Sequence, residues 1–170
     1  SVASALYEQA SVWASRPFPD GRLPESLWDL YCGVGGFALA AARAGFPRVT
    51  GVEVSSGAIS SAISAARHAG LPRSAASFIA DDATSWARAQ PPEDVPDVIV
   101  VNPPRRGIGA ELATFLNECD APRVIYSSCN PASLATDLAA VPTLRPVEGR
   151  IFDMFPHTTH AEVALLLERA

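Results

Sequence analysis

Cys129 is the residue of this chain best placed to act as a nucleophile. It ends the run Tyr126-Ser127-Ser128-Cys129, in polar surroundings, and Asn130-Pro131 opens a helical stretch directly after it. A helix N-terminus at that point favours the thiolate, the reactive form of the thiol. Cys32 and Cys119 are read as small buried hydrophobes instead. Three cysteines with no Cys-x-x-Cys spacing argue against a disulfide framework or a zinc ribbon and point to a reducing cytoplasm.

A second cluster surrounds a glycine-rich turn, Asp29-Leu-Tyr-Cys-Gly33-Val-Gly35-Gly36-Phe-Ala38. Such a turn between a strand and a helix lets backbone approach a ligand closely and aims the helix N-terminus at it. Glu53 closes the next apolar run, where a carboxylate can accept from both hydroxyls of a ribose. Gly33-x-Gly35-x-x-Ala38 fits a dinucleotide as well as S-adenosylmethionine. Asp29, set to hold an ammonium, and an antiparallel last strand pair favour adenosylmethionine. Asp81 and Asp82 follow the third strand. One of them can meet an adenine edge, and either can equally cap a helix.

Asn102-Pro103-Pro104-Arg105-Arg106-Gly107 follows the fourth strand. The prolines fix the backbone just past Asn102. Asn-Pro-Pro recurs in enzymes that methylate exocyclic amines, but those usually continue with an aromatic residue, and here Arg105 stands in its place. Arg105 and Arg106 suit a phosphate or a base edge, or are solvent arginines. Glu162 opens the apolar run AEVALLL as either an edge residue in solvent or a base facing the crevice. Asp153, His157, His160 and Glu162 lie close in sequence. Without a His-Glu-x-x-His motif or a nearby cysteine, the reading is no metal.

These groups need a scaffold that brings them to one edge. Short apolar runs predict strands at Leu27–Tyr31, Val49–Val54, Ser77–Ala80, Val98–Val101 and Val124–Ser127. Helices are predicted between them, near Phe37–Ala44, Ser56–Ala69, Thr84–Ala89, Ala110–Glu118 and Ala132–Ala140, with one more at Val2–Ala14. Arg145–Met154 and Glu162–Glu168 read as a pair with no helix between them. The expectation is an α/β fold: a seven-stranded, mostly parallel sheet with an antiparallel final strand and helices on both faces. The strand C-termini, where Cys129, Asn102 and the glycine turn fall, line the crevice of such a sheet.

The 170 residues are one domain's worth, and at 48% hydrophobic they can bury a core. No run approaches the roughly 20 apolar residues of a membrane span, and the N-terminus is no signal peptide. The absence of an initiating Met suggests a piece of a longer protein. The net charge of −5 counts against nucleic acid as a partner of this piece alone.

Taken together, DLYCGVGGF, GVEVSSGAI, VNPPRRGIG, YSSCNP and FDMFPHTTHAEV resemble the RNA (uracil-5-)-methyltransferases, in order and spacing and over nearly the whole chain. NPPRRGIG and FDMFPHT resemble the branch acting on 23S rRNA. The resemblance implies a class I, Rossmann-like methyltransferase fold and S-adenosylmethionine-dependent formation of 5-methyluridine, in rRNA rather than tRNA. It implies Cys129 as nucleophile and Glu162 as base. Cofactor contacts fall to Tyr31, Gly33, Gly35, Glu53, Asp82 and Asn102, and substrate contacts to Arg105 and Arg106. Relatives often carry Asn where this chain has Gly36. The RNA-binding domains that begin family members, some with an iron–sulfur cluster, have no counterpart in these residues. The expectation is therefore a catalytic domain spanning 1–170, cytoplasmic, with no membrane or protein partner. An amine or cytosine-5 methyltransferase, a non-catalytic cofactor-binding piece and a nicotinamide oxidoreductase are the competing classes.

Overall fold

A computed structural model of the chain describes residues 1–154 and 160–170. In chain order the elements are α1 (Val2–Ser15), β1 (Ser26–Leu30), α2 (Gly36–Arg43), β2 (Arg48–Glu53), α3 (Ser56–His68), β3 (Ala76–Ala80) and α4 (Ala83–Ala89). Then follow β4 (Val98–Val101), α5 (Gly109–Glu118), β5 (Arg123–Ser128), α6 (Pro131–Ala139), β6 (Leu144–Phe152) and β7 (Glu162–Arg169). Each expected element is present with its ends moved by a residue or two. A short 3₁₀ turn at Pro92–Asp94, which periodicity does not signal, is added.

The seven strands form one sheet in the order β3-β2-β1-β4-β5-β7-β6. The pairs β2–β3, β1–β2, β1–β4 and β4–β5 are parallel, while β5–β7 and β6–β7 are antiparallel. The final strand is thus inserted between β5 and β6 and leaves β6 at the edge. Pro146, on β6 beside a register shift, suits an edge that needs no further ladder donor. The order reverses between β1 and β4, the switch point outside which ligands bind in open α/β sheets.

Strand β4, Val-Ile-Val-Val, is buried on both faces, as a central parallel strand must be. On one face Leu27, Val98, Val100, Ile125 and Leu166 pack against Leu6, Ala10 and Trp13 of α1 and Phe37 and Ala41 of α2. On the other, Trp28, Leu30, Ile99, Val101 and Val124 meet α4, α5 and α6 through Ala87, Leu112, Leu116 and Leu134. No described helix is long and apolar enough to cross a membrane.

One structural feature has no sequence signal. Arg123, at the start of β5, is 1% exposed. Its Nη1 donates to the carbonyls of Trp13, Ala14 and Arg16 at 3.1, 3.1 and 2.7 Å, its Nε donates to Glu168 at 3.0 Å, and it stacks on Phe18. The last carbonyls of a helix lack intrahelical donors, and a cation there also complements the helix dipole. Arg123 thereby fastens α1 to the sheet.

Candidate active site

The glycine turn begins with a departure from the expected strand. Tyr31 leaves β1 instead of ending it, and it adopts φ +62°, the sole positive φ among non-glycine residues described. Such a conformation costs a bulky residue energy and persists where its surroundings impose it. The phenol is buried enough to be held above its ordinary pKa, partly offset by a hydrogen bond from Thr84 and by Arg106 nearby. Gly33 and Gly35 also have positive φ, +56° and +92°. A side chain on Gly33 would meet open space, so backbone at this point is not held by packing.

Glu53 ties the turn to β2. One carboxylate oxygen accepts from the Gly33 N–H at 3.2 Å and the other from the Ser55 N–H at 2.9 Å. Each oxygen keeps a second lone pair for a ligand hydroxyl. Asp29 has a helix-capping role beyond its sequence reading. It is fully buried, and one oxygen accepts from the Ala38 N–H at 3.0 Å. Because Gly35, the N-cap of α2, has no side chain to cap with, Asp29 supplies the cap from β1. Its other oxygen has no partner among the described residues. Burial is the main cause that pushes this carboxyl up to about 7, with the Ala38 hydrogen bond opposing and Glu53 adding to the rise.

That shift gives a sign that can be tested. An unfolded Asp ionises near pH 4. The folded carboxyl keeps its proton to about pH 7, so its stabilising contribution fades as pH rises through that window. Asp29→Asn retains an acceptor for Ala38 and cannot ionise. At pH 8.5 the variant should exceed the parent in stability by about 1–3 kcal/mol, and the gap should close towards pH 5. Thermal melts at the two pH values measure this. An offset independent of pH would show that Asp29 does not carry the titration.

Asp82 is the N-cap of α4, accepting from the Ser85 N–H at 2.8 Å and the Ser85 hydroxyl at 2.9 Å, bonds that lower its pKa. The capping reading therefore describes Asp82. Asp81 accepts from the N–H of Asp82 at 2.7 Å.

On the other side of the switch point, the loop after β4 is clamped to α6. Asn130, the N-cap of α6, donates from Nδ2 to the carbonyl of Arg105 at 2.9 Å. Asp137 of α6, 6% exposed, accepts from the Ile108 N–H at 3.0 Å and from the Tyr126 hydroxyl. A Cβ on Gly107 (φ +86°) would lie 2.6 Å from Asp137, so only glycine fits there. Asn102 leaves β4 half-buried, its N–H on the Leu30 carbonyl, while Arg105 and Arg106 are exposed. The helix that starts after Cys129 thus holds the loop bearing both arginines.

Strand pairing brings the chain at Cys129 and at Glu162 to one end of the sheet. In the β5–β7 ladder, Ser127 pairs with Ala164 and Ser128 with Val163. β5 ends there, so Cys129 follows directly on the last paired residue of β5 while Glu162 directly precedes that residue's partner on β7. Ser127 donates to Glu162 at 2.8 Å. Burial raises the pKa of this half-buried carboxyl, and the Ser127 hydrogen bond opposes the rise. Cys129 itself is half-buried and unbridged. Cys32 is buried, Cys119 only half so, and burial raises the pKa of both thiols.

Among the described residues no three His, Cys, Asp or Glu gather as metal ligands. Part of FDMFPHTTHAEV, with His157, lies outside the described residues.

The topology, the glycine turn over the switch point and the inserted antiparallel β7 define a class I, Rossmann-like methyltransferase fold. The sequence profile described as tRNA (Uracil-5-)-methyltransferase matches residues 95–170. The 23S rRNA (uracil(747)-C(5))-methyltransferase RlmC of Shewanella amazonensis is 48% identical over 166 residues, covering 98% of this chain and 41% of that protein. Its counterpart in Pectobacterium atrosepticum is 43% identical over 99% of this chain and 42% of its own length. The crystal structure of Pyrococcus abyssi tRNA (uracil-54, C5)-methyltransferase in complex with S-adenosyl-L-homocysteine superposes with a TM-score of 0.81 at 28% identity, over 97% of this chain and 38% of that one. The chain is similar over nearly its whole length to RNA (uracil-5-)-methyltransferases, and it spans about two-fifths of the length of the curated relatives it matches.

Proposed function

We propose that this chain is the methyl-transferring domain of an enzyme that methylates carbon 5 of a uracil in RNA, with S-adenosylmethionine as donor and 23S rRNA as substrate. The observation that carries the reading is the antiparallel β5–β7 pairing, which ends at Ser128 and Val163 and so brings the chain at Cys129 and at Glu162 to the same mouth of the sheet. Identity of 43–48% to 23S rRNA enzymes, against 28% to a tRNA enzyme, supports rRNA as the substrate.

The turn fits the donor on its own chemistry. An adenosine with an amino-acid tail needs acceptors for a ribose and an ammonium, and backbone that tolerates close approach. Glu53 offers spare lone pairs, Asp29 an unpartnered oxygen and Gly33 an open face. Tyr31, Gly35, Asp82 and Asn102 complete the wall. When bound, the donor supplies a methyl group activated by a sulfonium.

Carbon 5 of uracil is too weak a nucleophile to take that methyl unaided. The Cys129 thiolate adds to carbon 6, and the electron pair released makes carbon 5 nucleophilic. Once carbon 5 is methylated, Glu162 removes its proton. The C–H pair restores the 5,6 double bond and expels the Cys129 sulfur. Attack on the ring face requires an unstacked base, which favours a loop uridine. Arg105 and Arg106 hold the base or its phosphate.

The test is a hairpin RNA carrying 5-fluorouridine, incubated with the chain and adenosylmethionine. Fluorine cannot leave as a proton, so a denaturation-stable protein–RNA adduct is expected, absent from Cys129→Ala. An adduct that survives in Cys129→Ala would overturn the assignment of the nucleophile.

A further inference from the structure

Gly36 opens α2, and a side chain on it has nowhere to go. A Cβ would lie 2.3 Å from Cζ and 2.6 Å from the hydroxyl oxygen of Tyr7 on α1. Real Cβ atoms do not approach so closely, so the phenol occupies the volume that any residue other than glycine would fill. The ring is held by an edge contact to Phe37, centroids 4.8 Å apart. Its hydroxyl makes no hydrogen bond among the described residues.

A second observation points to a ligand at the same turn. Asp29 caps this first turn of α2 through Ala38 and leaves its other oxygen buried and unpartnered. Buried polar atoms are nearly always satisfied, and an orphan at a helix N-terminus marks where a partner belongs. Tyr7 lies within electrostatic reach of both Asp29 and Glu162, and burial together with these charges keeps its hydroxyl protonated. It is therefore a neutral donor beside the turn.

We propose that Tyr7 is a cofactor-binding residue: Gly36 is the notch that admits its phenol to the first turn of α2, and the hydroxyl donates to the α-carboxylate at the amino-acid end of the methyl donor. The assignment rests on the functional reading above. It gives α1 a part in the site, and it explains why the position where relatives often carry Asn is glycine here. The polar group that one helix lacks is supplied by another.

Isothermal titration of Tyr7→Phe tests this. Phe keeps the ring and its contact with Phe37, so the fold is retained. The probes are S-adenosylhomocysteine and 5′-methylthioadenosine, which shares the nucleoside and thioether but lacks the amino acid. Tyr7→Phe should bind adenosylhomocysteine about tenfold more weakly, in the range of one lost hydrogen bond to a charged group, and methylthioadenosine unchanged. Unchanged affinity for adenosylhomocysteine, or an equal loss for both probes, would overturn the role of Tyr7 while leaving the methyltransferase reading intact. A parent chain that binds neither probe would overturn both.

Discussion

Glu162→Gln is expected to stop product formation and to accumulate a covalent protein–RNA adduct on ordinary uridine, with no fluorine required. The carboxylate is the group that takes the carbon 5 proton, and without that step the Cys129 sulfur cannot be expelled. Gln preserves the acceptor for the Ser127 hydroxyl, 2.8 Å away in the parent, so the position of the side chain is retained. Turnover should fall by about a thousandfold or more, within the range for loss of a general base acting in a covalent sequence. The adduct, carrying the transferred methyl, should withstand denaturation and be absent from the double variant Glu162→Gln, Cys129→Ala. Gel shift under denaturing conditions and mass spectrometry of the adduct are the measurements. Loss of turnover with no adduct would place Glu162 before carbon–sulfur bond formation and exclude it as the base for carbon 5. The parent should also lose activity as pH falls through the Glu162 pKa, which burial holds above the usual carboxylate range. Only the ionised form can accept the proton.

How much of this could be read from sequence depends on whether the signal was local. Val98–Val101 is a run of apolar β-branched residues, and its strand falls on the expected residues. The glycine turn and the cap before α6 are likewise properties of a few adjacent residues. Sites assembled across the sheet were legible only in part. That a final antiparallel pair exists follows from two runs with no helix between them. The insertion of β7 beside β5, which brings the start of β7 at Glu162 to the end of β5 before Cys129, is a matter of sheet order and leaves no trace in periodicity. Asp29 has the spacing of a ligand residue, yet its main bond is a helix cap that Gly35 cannot provide. Asp81 and Asp82 are identical in type and adjacent, so only φ and hydrogen bonds identify Asp82 as the cap. The contact between Tyr7 and Gly36 spans two helices, and neither residue hints at the other.

Arg123 is the extreme case of a non-local role, and its removal should produce the largest loss of stability. The guanidinium satisfies three carbonyls at the end of α1 and pairs with Glu168, which faces it across the β5–β7 ladder. Arg123→Met keeps most of the volume and the contact with Phe18 but strands those acceptors in a buried site. Breaking one side of a buried, hydrogen-bonded charge pair costs about 3–5 kcal/mol. Urea unfolding should show an unfolding free energy lowered by that amount, and Arg123→Lys should recover little, because an ammonium cannot fork to three carbonyls and a carboxylate at once. By contrast Arg22→Ala, which removes an ion pair to Asp97 from a half-exposed side chain, should cost under about 1 kcal/mol. A loss in Arg123→Met as small as that of Arg22→Ala would mean that water replaces the guanidinium and that α1 is held by its apolar face alone. The same fastening bears on the site: Tyr7 rides on α1, so conditions that release the helix from Arg123 should weaken binding of adenosylhomocysteine before the sheet unfolds. A binding titration of Arg123→Lys at denaturant concentrations below its midpoint would detect this coupling.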